Sequence, residues 1–488
     1  MSLTAPAPRL HRDELRAALR RVTQAWIFGA AWMYIVTGAV MTRFAQQLGT
    51  PGFGFGVLAA LPFAGALVQL PVSYFIERYG HRKIIFIGTG VVHRALWIVA
   101  AAIPWVLPAR WCWPALLGVV AVSWVTGQMS GPSWVSWMAD LVPARIRGRY
   151  FSRRTQLGQL VGVIVTLTAG AVLDLAQRRG DAVLLRTLSG ALALAGAAGV
   201  VDFLFFVRVP EPRPERTNPQ AKLWALIREP LGDRNFRRFL GYIFTLTLAV
   251  GYMGQFTWLY LFDVAGMSNT QANAMLVLGP LVVLMLSFPF WGRLIDRFGR
   301  KPVLVMALVL TLPGGALWMF VTREHWLWPY LGLLLVTAAW PGIDLANFNL
   351  LLNFSGPASG ARKSGGYVAI NSIVAAAAGI LSGLLAGAIA SALNDWRPVW
   401  AGWPMTYHRL LFLLSSALRL LTLPWLWRLE DTGAQTTRAA WRYMGTNLYS
   451  NLQQVIFMPG RLLWQRARWT FIFDQTVGAF PWCRRRRR

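Results

Sequence analysis

The chain has 488 residues, 56% of them hydrophobic, with a mean hydropathy of +0.45 and a formal net charge of +29. So apolar a composition excludes an ordinary soluble domain and points to a bilayer. Two cysteines, Cys112 and Cys483, fall on opposite sides of the expected membrane, which excludes an internal disulfide or thiolate metal site.

Residues 1–21 are polar and basic without a cleavage-like site, so they read as a cytoplasmic segment ahead of a permanent anchor. Twelve apolar stretches of about 20 residues, the length that crosses a hydrocarbon core, then begin near Val22, Gly56, Ile84, Pro114, Thr155, Leu185, Phe239, Ala272, Pro302, Leu327, Tyr367 and Leu410. Between the sixth and seventh lies a segment, 209–238, with Pro210, Pro212, Pro214, Pro219 and many charges, the composition of a linker. The expected organisation is a six-helix bundle over 22–208, a cytoplasmic linker over 209–238, a second six-helix bundle over 239–428 and a basic aromatic tail over 429–488.

Charge is asymmetric between alternate loops. Arg78, Arg82, Lys83, the arginines of 145–154, the segment Arg208 to Arg238, Arg297, Arg300, Lys301, Arg362 and Lys363 share one side, against a thinner set of Arg43, Arg110, Arg178, Arg179, Arg323 and Arg397. The positive-inside rule places the richer side, with both termini, in the cytoplasm. The basic charge is thus accounted for by topology, and no nucleic-acid partner is expected. A plasma membrane or bacterial inner membrane fits.

One charged loop occurs twice, after the second and eighth spans. Ser73-Tyr74-Phe75-Ile76-Glu77-Arg78-Tyr79-Gly80-His81-Arg82-Lys83 and Gly292-Arg293-Leu294-Ile295-Asp296-Arg297-Phe298-Gly299-Arg300-Lys301 share an acid, an Arg, an aromatic, a Gly and a basic cluster in register. Gly permits the tight bend and the basic residues hold the loop at the membrane surface. Leu61-Pro62 matches Gly279-Pro280, and Gly148-Arg149-Tyr150 matches Gly365-Gly366-Tyr367, so the halves are parallel repeats in one orientation.

These features resemble the major facilitator superfamily of secondary transporters over residues 22 to 428. The second loop matches that family's G-x-x-x-D-R-x-G-R-R/K pattern, whereas in the first Ser73, Glu77 and His81 depart from it. The resemblance implies an all-α membrane protein of twelve transmembrane helices in two parallel six-helix repeats. It also implies that Glu77, Arg78, Gly80, Arg82 and Asp140 in one half, and Gly292, Asp296, Arg297, Gly299 and Arg300 in the other, form a conformational latch. Bland topology charges are the alternative reading of the same residues.

Polar residues inside the spans are candidates for a substrate or proton pathway, because an ionisable group there is costly unless paired or wet. Asp344 and Asn347 share a helix face behind Pro341-Gly342 in span ten, which lines the central cavity in the resembling family. Gln128, Gln255 and Asn371 add neutral hydrogen-bonding groups, and Gln156 and Gln159 share a face in span five. Arg94 and Asp202 in spans three and six suit a buried charge pair, beside His93.

The Gln156-to-Gly158 run and the Pro143-to-Arg149 loop resemble sugar porters, yet Gly254-Gln255-Phe256 and span ten lack that subfamily's other marks. In the tail, Trp441, Met444, Leu448 and Leu452 recur at helical spacing before Trp464, Trp469, Phe471, Phe473 and Arg484 to Arg488, which suits contact with anionic lipid. No nucleotide-binding or metal motif is present, so no cofactor, no metal and no enzymatic reaction are expected. The reading is a transporter of a small organic solute working by alternating access, with proton coupling through Asp344 or uniport as alternatives. A non-transporting sensor or assembly factor on the same scaffold is the rival.

Overall fold

The computed structural model describes residues 12–79, 81–212, 228, 230–355, 364–400, 403–431 and 434–446. Gly80, most of the linker, Arg362, Lys363 and the tail from 447, with Leu448, Leu452, Trp464, Cys483 and the terminal arginines, lie outside the described residues.

Helices dominate. The first span is a pair, α1 (Arg12–Val36) and α2 (Ala39–Gln47), bent by 45°. Eleven more helices are long and apolar enough to cross a membrane: α3 (Gly52–Ile76), α4 (Arg82–Val106), α5 (Ala109–Leu141), α6 (Tyr150–Arg178), α7 (Asp181–Arg208), α8 (Arg234–Val264), α9 (Asn269–Phe298), α10 (Arg300–Trp318), α11 (Leu327–Phe354), α12 (Gly366–Ala392) and α13 (Tyr407–Arg428). With the bent pair as one span the described residues hold twelve, as the hydropathy pattern predicts. A short helix, α14 (Thr437–Thr446), follows, and Val399–Trp400 pairs antiparallel with Trp403–Pro404 before α13.

Local sequence sets the ends of these helices. Pro51 and Pro108 precede α3 and α5, where the missing N–H costs nothing. Ser268 and Gln271 form a capping box at the start of α9. Pro62, Pro104, Pro114, Pro132, Pro289 and Pro341 sit inside helices, which membrane spans tolerate when neighbours satisfy the freed carbonyls. Two π turns, Tyr260–Val264 and Ala274–Leu278, interrupt α8 and α9.

The described residues cluster into two compact units. One takes those within Met1–Leu281, Leu312–Leu334 and Leu351–Leu429; the other takes those within Val282–Thr311, Leu335–Leu350 and Glu430–Arg488. The first contains a large apolar core in which Trp97, Tyr260, Phe44, Phe256 and Phe412 are fully buried. In the second, Trp291 on α9 donates from Nε1 to the Ala338 carbonyl at 2.6 Å. A Cβ on Gly342 would lie 2.7 Å from that indole and 2.9 Å from Ala307, so glycine is what lets α11 approach both.

Candidate functional site

The first motif loop leads directly into α4, and its Arg82 is almost fully enclosed, its side chain only 1% exposed. The guanidinium donates to Asp140 at the end of α5 (2.5 Å), to Glu211 beyond α7 (3.2 Å), to the Ser136 carbonyl and hydroxyl, and to the Pro212 carbonyl at 2.7 Å. Lys83 donates to the carbonyls of Val207 and Val209. Arginine's planar fork suits so many convergent acceptors. Glu77 and Arg78 lie on the preceding helix, and their side chains fall outside the described residues, as does Gly80.

In the second unit the corresponding loop is held by the segment after the last span. Asp431, whose side chain is 1% exposed, accepts from the backbone N–H of Arg300 and Lys301 at 3.0 Å and pairs with the Arg300 guanidinium at 2.9 Å. Gly299 has φ +90°, and a Cβ there would lie 2.8 Å from Ala434, so the bend needs glycine on two counts. Gln435 donates to the Phe298 and Arg297 carbonyls, and Tyr443 on α14 lies under the Arg297 guanidinium at 4.3 Å. Asp296 is exposed and makes no hydrogen bond or ion pair among the described residues, while Gly292 has open space around it. Glu211 and Asp431 escape a reading of the motif alone. The signal that finds them is an acid just beyond the sixth span of each half.

Arg94 and Asp202 come together as the sequence suggests, at 3.6 Å, both buried. The Arg94 guanidinium stacks 3.3 Å from the Trp32 ring, and its Nε and Nη1 have no hydrogen-bond partner among the described residues. Asp202 reaches α1 because position 29 is Gly, where any Cβ would strike the carboxylate. His93 Nδ1 sits 2.6 Å from the Ser123 carbonyl, so this histidine is held inside the bundle.

The remaining candidates are scattered. Asp344 is exposed on α11 and makes no hydrogen bond or ion pair among the described residues, and the buried Oδ1 atoms of Asn347 and Asn371 have no partner there either. Gln128 accepts from Gln69 at 2.5 Å and donates to the Pro62 carbonyl, an arrangement that ties α3 to α5. Gln156 is exposed and Gln159 half-buried on α6.

Gln255 lies elsewhere, in a polar cluster at the distal end of the first unit, opposite the first motif loop. Thr42 donates to Gln255 (3.0 Å), Arg43 to Asn269 (2.9 Å) and Gln46 to Asp263 (2.9 Å). Asp174 on α6 accepts from the backbone N–H groups of Asn269 and Thr270 and from the Asn269 side chain, which also donates to Gln177. Asn273 joins the Ala39 N–H to the Thr166 carbonyl. The carboxylate thus caps the start of α9, where exposed N–H groups and the helix dipole favour an anion. Every one of these bonds crosses from helices before the 209–238 segment to helices after it. Sequence reasoning missed the cluster, although Asp174 with Gln177 and Asn269 with Asn273 share helix faces at two span ends.

A dozen membrane-crossing helices, a charged loop clamped within each unit and a polar seal between early and late helices define a non-enzymatic membrane transporter scaffold. The chain belongs to the Major Facilitator Superfamily, whose family model matches residues 24–362. It is 26% identical over 299 residues to the magnetosome protein MamH of Paramagnetospirillum magneticum, covering 58% of this chain and 65% of that relative. The chain therefore spans about two thirds of that protein's length.

Solved structures share the fold. A point mutant of the nucleoside transporter NupG superposes with a TM-score of 0.64 at 13% identity, covering 85% of this chain and all of that one. A bacterial homologue of the human lysosomal transporter Spinster, inward-facing and unoccupied, gives 0.62 at 15% identity (86% and 97% covered). The xylose transporter XylE of E. coli, in an inward open conformation, gives 0.59 at 16% identity (87% and 99% covered).

Proposed function

We propose that this transporter is a secondary active carrier that moves a small organic solute by alternating access. Six-helix bundles over 22–208 and 239–428 rock about a site near the bilayer midplane. The observation that carries the reading is the distal seal. It joins early and late helices through hydrogen bonds that water can replace, so it suits a closure that opens and re-forms. The motif loops act as a latch on the other side, with Arg82 and Arg300 held by Asp140, Glu211 and Asp431. By the positive-inside rule that side is cytoplasmic, with both termini, and the seal faces outward. The similarity to a bacterial magnetosome protein supports a bacterial membrane as the setting.

Asp344 is the proposed coupling residue. It follows Pro341-Gly342 within α11 and has no counter-charge among the described residues, so its carboxylate is available to a proton or to solute. The test is solute-dependent proton movement in proteoliposomes, native chain against Asp344→Asn, across sugars, organic acids and amphipathic cations. Proton flux with one solute class, abolished by the substitution, is expected. Solute uptake that survives Asp344→Asn without proton movement overturns coupling in favour of uniport, and absence of uptake for every class favours the non-transporting rival.

A further inference from the structure

Two clefts adjoin on the outside of the first unit, where α1 packs against α7 near the motif-loop side. One, of about 580 Å³, is lined by Arg21, Gln24, Val201, Leu204, Phe205, Val207 and Arg208. The other, of about 420 Å³, shares Arg21, Val207 and Arg208 and adds Glu14, Ala17, Lys83, Val209 and Pro210. Their chemistry is graded. Val201, Leu204, Phe205 and Arg208 follow the spacing of one helix face, so an apolar strip on α7 ends in a guanidinium where the span ends.

The apolar strip is left open, with Val201 36% and Leu204 51% exposed although both belong to a span. Such residues in a membrane helix face acyl chains. Above them stand three cationic side chains against one carboxylate, Glu14. Lys83 is fixed there by the Val207 and Val209 carbonyls, and Arg21 by its bond to the Arg208 carbonyl at 2.7 Å. The Arg208 guanidinium itself makes no hydrogen bond or ion pair among the described residues.

We propose that these clefts form one binding site for an anionic glycerophospholipid of the motif-side leaflet. An acyl chain lies along Val201, Leu204 and Phe205, and the phosphate sits among Arg21, Lys83 and Arg208. Basic pockets between membrane helices at the surface recognise acidic headgroups in this way, because charge and hydrocarbon are presented at the depth where a lipid changes from one to the other. A soluble anion satisfies only the upper cleft and an uncharged lipid only the lower. Lys83 adjoins Arg82, so an occupied site touches the loop that Asp140 and Glu211 hold.

The test uses the full-length protein in detergent, titrated with phosphatidylglycerol, phosphatidylcholine or glycerol phosphate and read by native mass spectrometry and thermal unfolding. Phosphatidylglycerol is expected to bind about tenfold more tightly than phosphatidylcholine, with glycerol phosphate weaker than either. Arg208→Gln, which removes no side-chain bond among the described residues, and the double variant Arg21→Gln/Arg208→Gln should erase the preference. Leu204→Trp should weaken both lipids by filling the lower cleft, while Arg153→Gln, a basic residue elsewhere, leaves binding unchanged. Equal binding of the two lipids, a preference that survives the double variant, or glycerol phosphate matching the whole lipid would each overturn the proposal.

Discussion

Asp431 is a carboxylate with almost no solvent exposure that serves two backbone N–H groups and a guanidinium at once. Removing its charge leaves three donors poorly served. Bonds to ionised groups contribute roughly 1.5–3 kcal/mol each, and the loss of one such set is expected to cost about that much. Asp431→Asn should therefore lower the thermal unfolding midpoint in detergent, and an unchanged midpoint would show the clamp to be superficial. Glu211→Gln should cost less, since Glu211 is 26% exposed and Arg82 keeps Asp140. The repeated motif made Arg82 and Arg300 legible, and Asp140 was legible as an acid at the end of α5. Glu211 and Asp431 were hidden because their importance comes from where the chain returns after four more spans.

At the scale of the element, α3 and α12 approach closely through their glycines. A Cβ on Gly56 would overlap the Gly383 carbonyl and the Gly387 backbone, and one on Gly387 would sit 2.9 Å from the Gly56 Cα. Backbone atoms cannot step aside as a flexible side chain can, so this crossing depends on small residues as membrane helix pairs often do. Gly387→Val is expected to separate the helices. In a Cys112→Ser/Cys483→Ser background the Phe53→Cys/Ser391→Cys pair, whose positions are joined by a 2.8 Å bond from Phe53 N–H to Ser391 Oγ, should then cross-link several-fold more slowly. Cross-linking at the native rate would mean the crossing tolerates the extra volume. Span existence was readable from hydropathy, since any bilayer-crossing segment must be apolar throughout. The pairing of spans was not, because lipid-facing and protein-facing positions carry the same side chains.

For the whole molecule, the proposed alternating access would make the distal cluster set which side is open. Asp174→Asn, alone or with Arg43→Gln, removes the charge that caps α9 and the cation that bonds Asn269. A loss of about 1.4 kcal/mol moves a two-state balance roughly tenfold. Labelling of Thr42→Cys by an impermeant maleimide, in a Cys112→Ser/Cys483→Ser background, is expected to rise by about that factor while membrane abundance holds. If labelling stays at the native level, the cluster is a structural tie and not a gate, and alternating access would need another closure.

Composition, periodicity and the repeated loop by themselves determined the membrane setting, the number of spans, the family and the approximate start of each span. Those properties depend on neighbours within a few residues or on the solvent, and both are encoded locally. Only the tertiary structure decided that Gln255 belongs to a distal cluster, that Asp174 caps a helix far along the chain, and that Gln128 answers Gln69. The same step brought Arg21, Lys83 and Arg208 to one cleft. A polar residue in a span records only that something must satisfy it. Which partner does so depends on contacts between distant segments, and these exist only once the helices have packed.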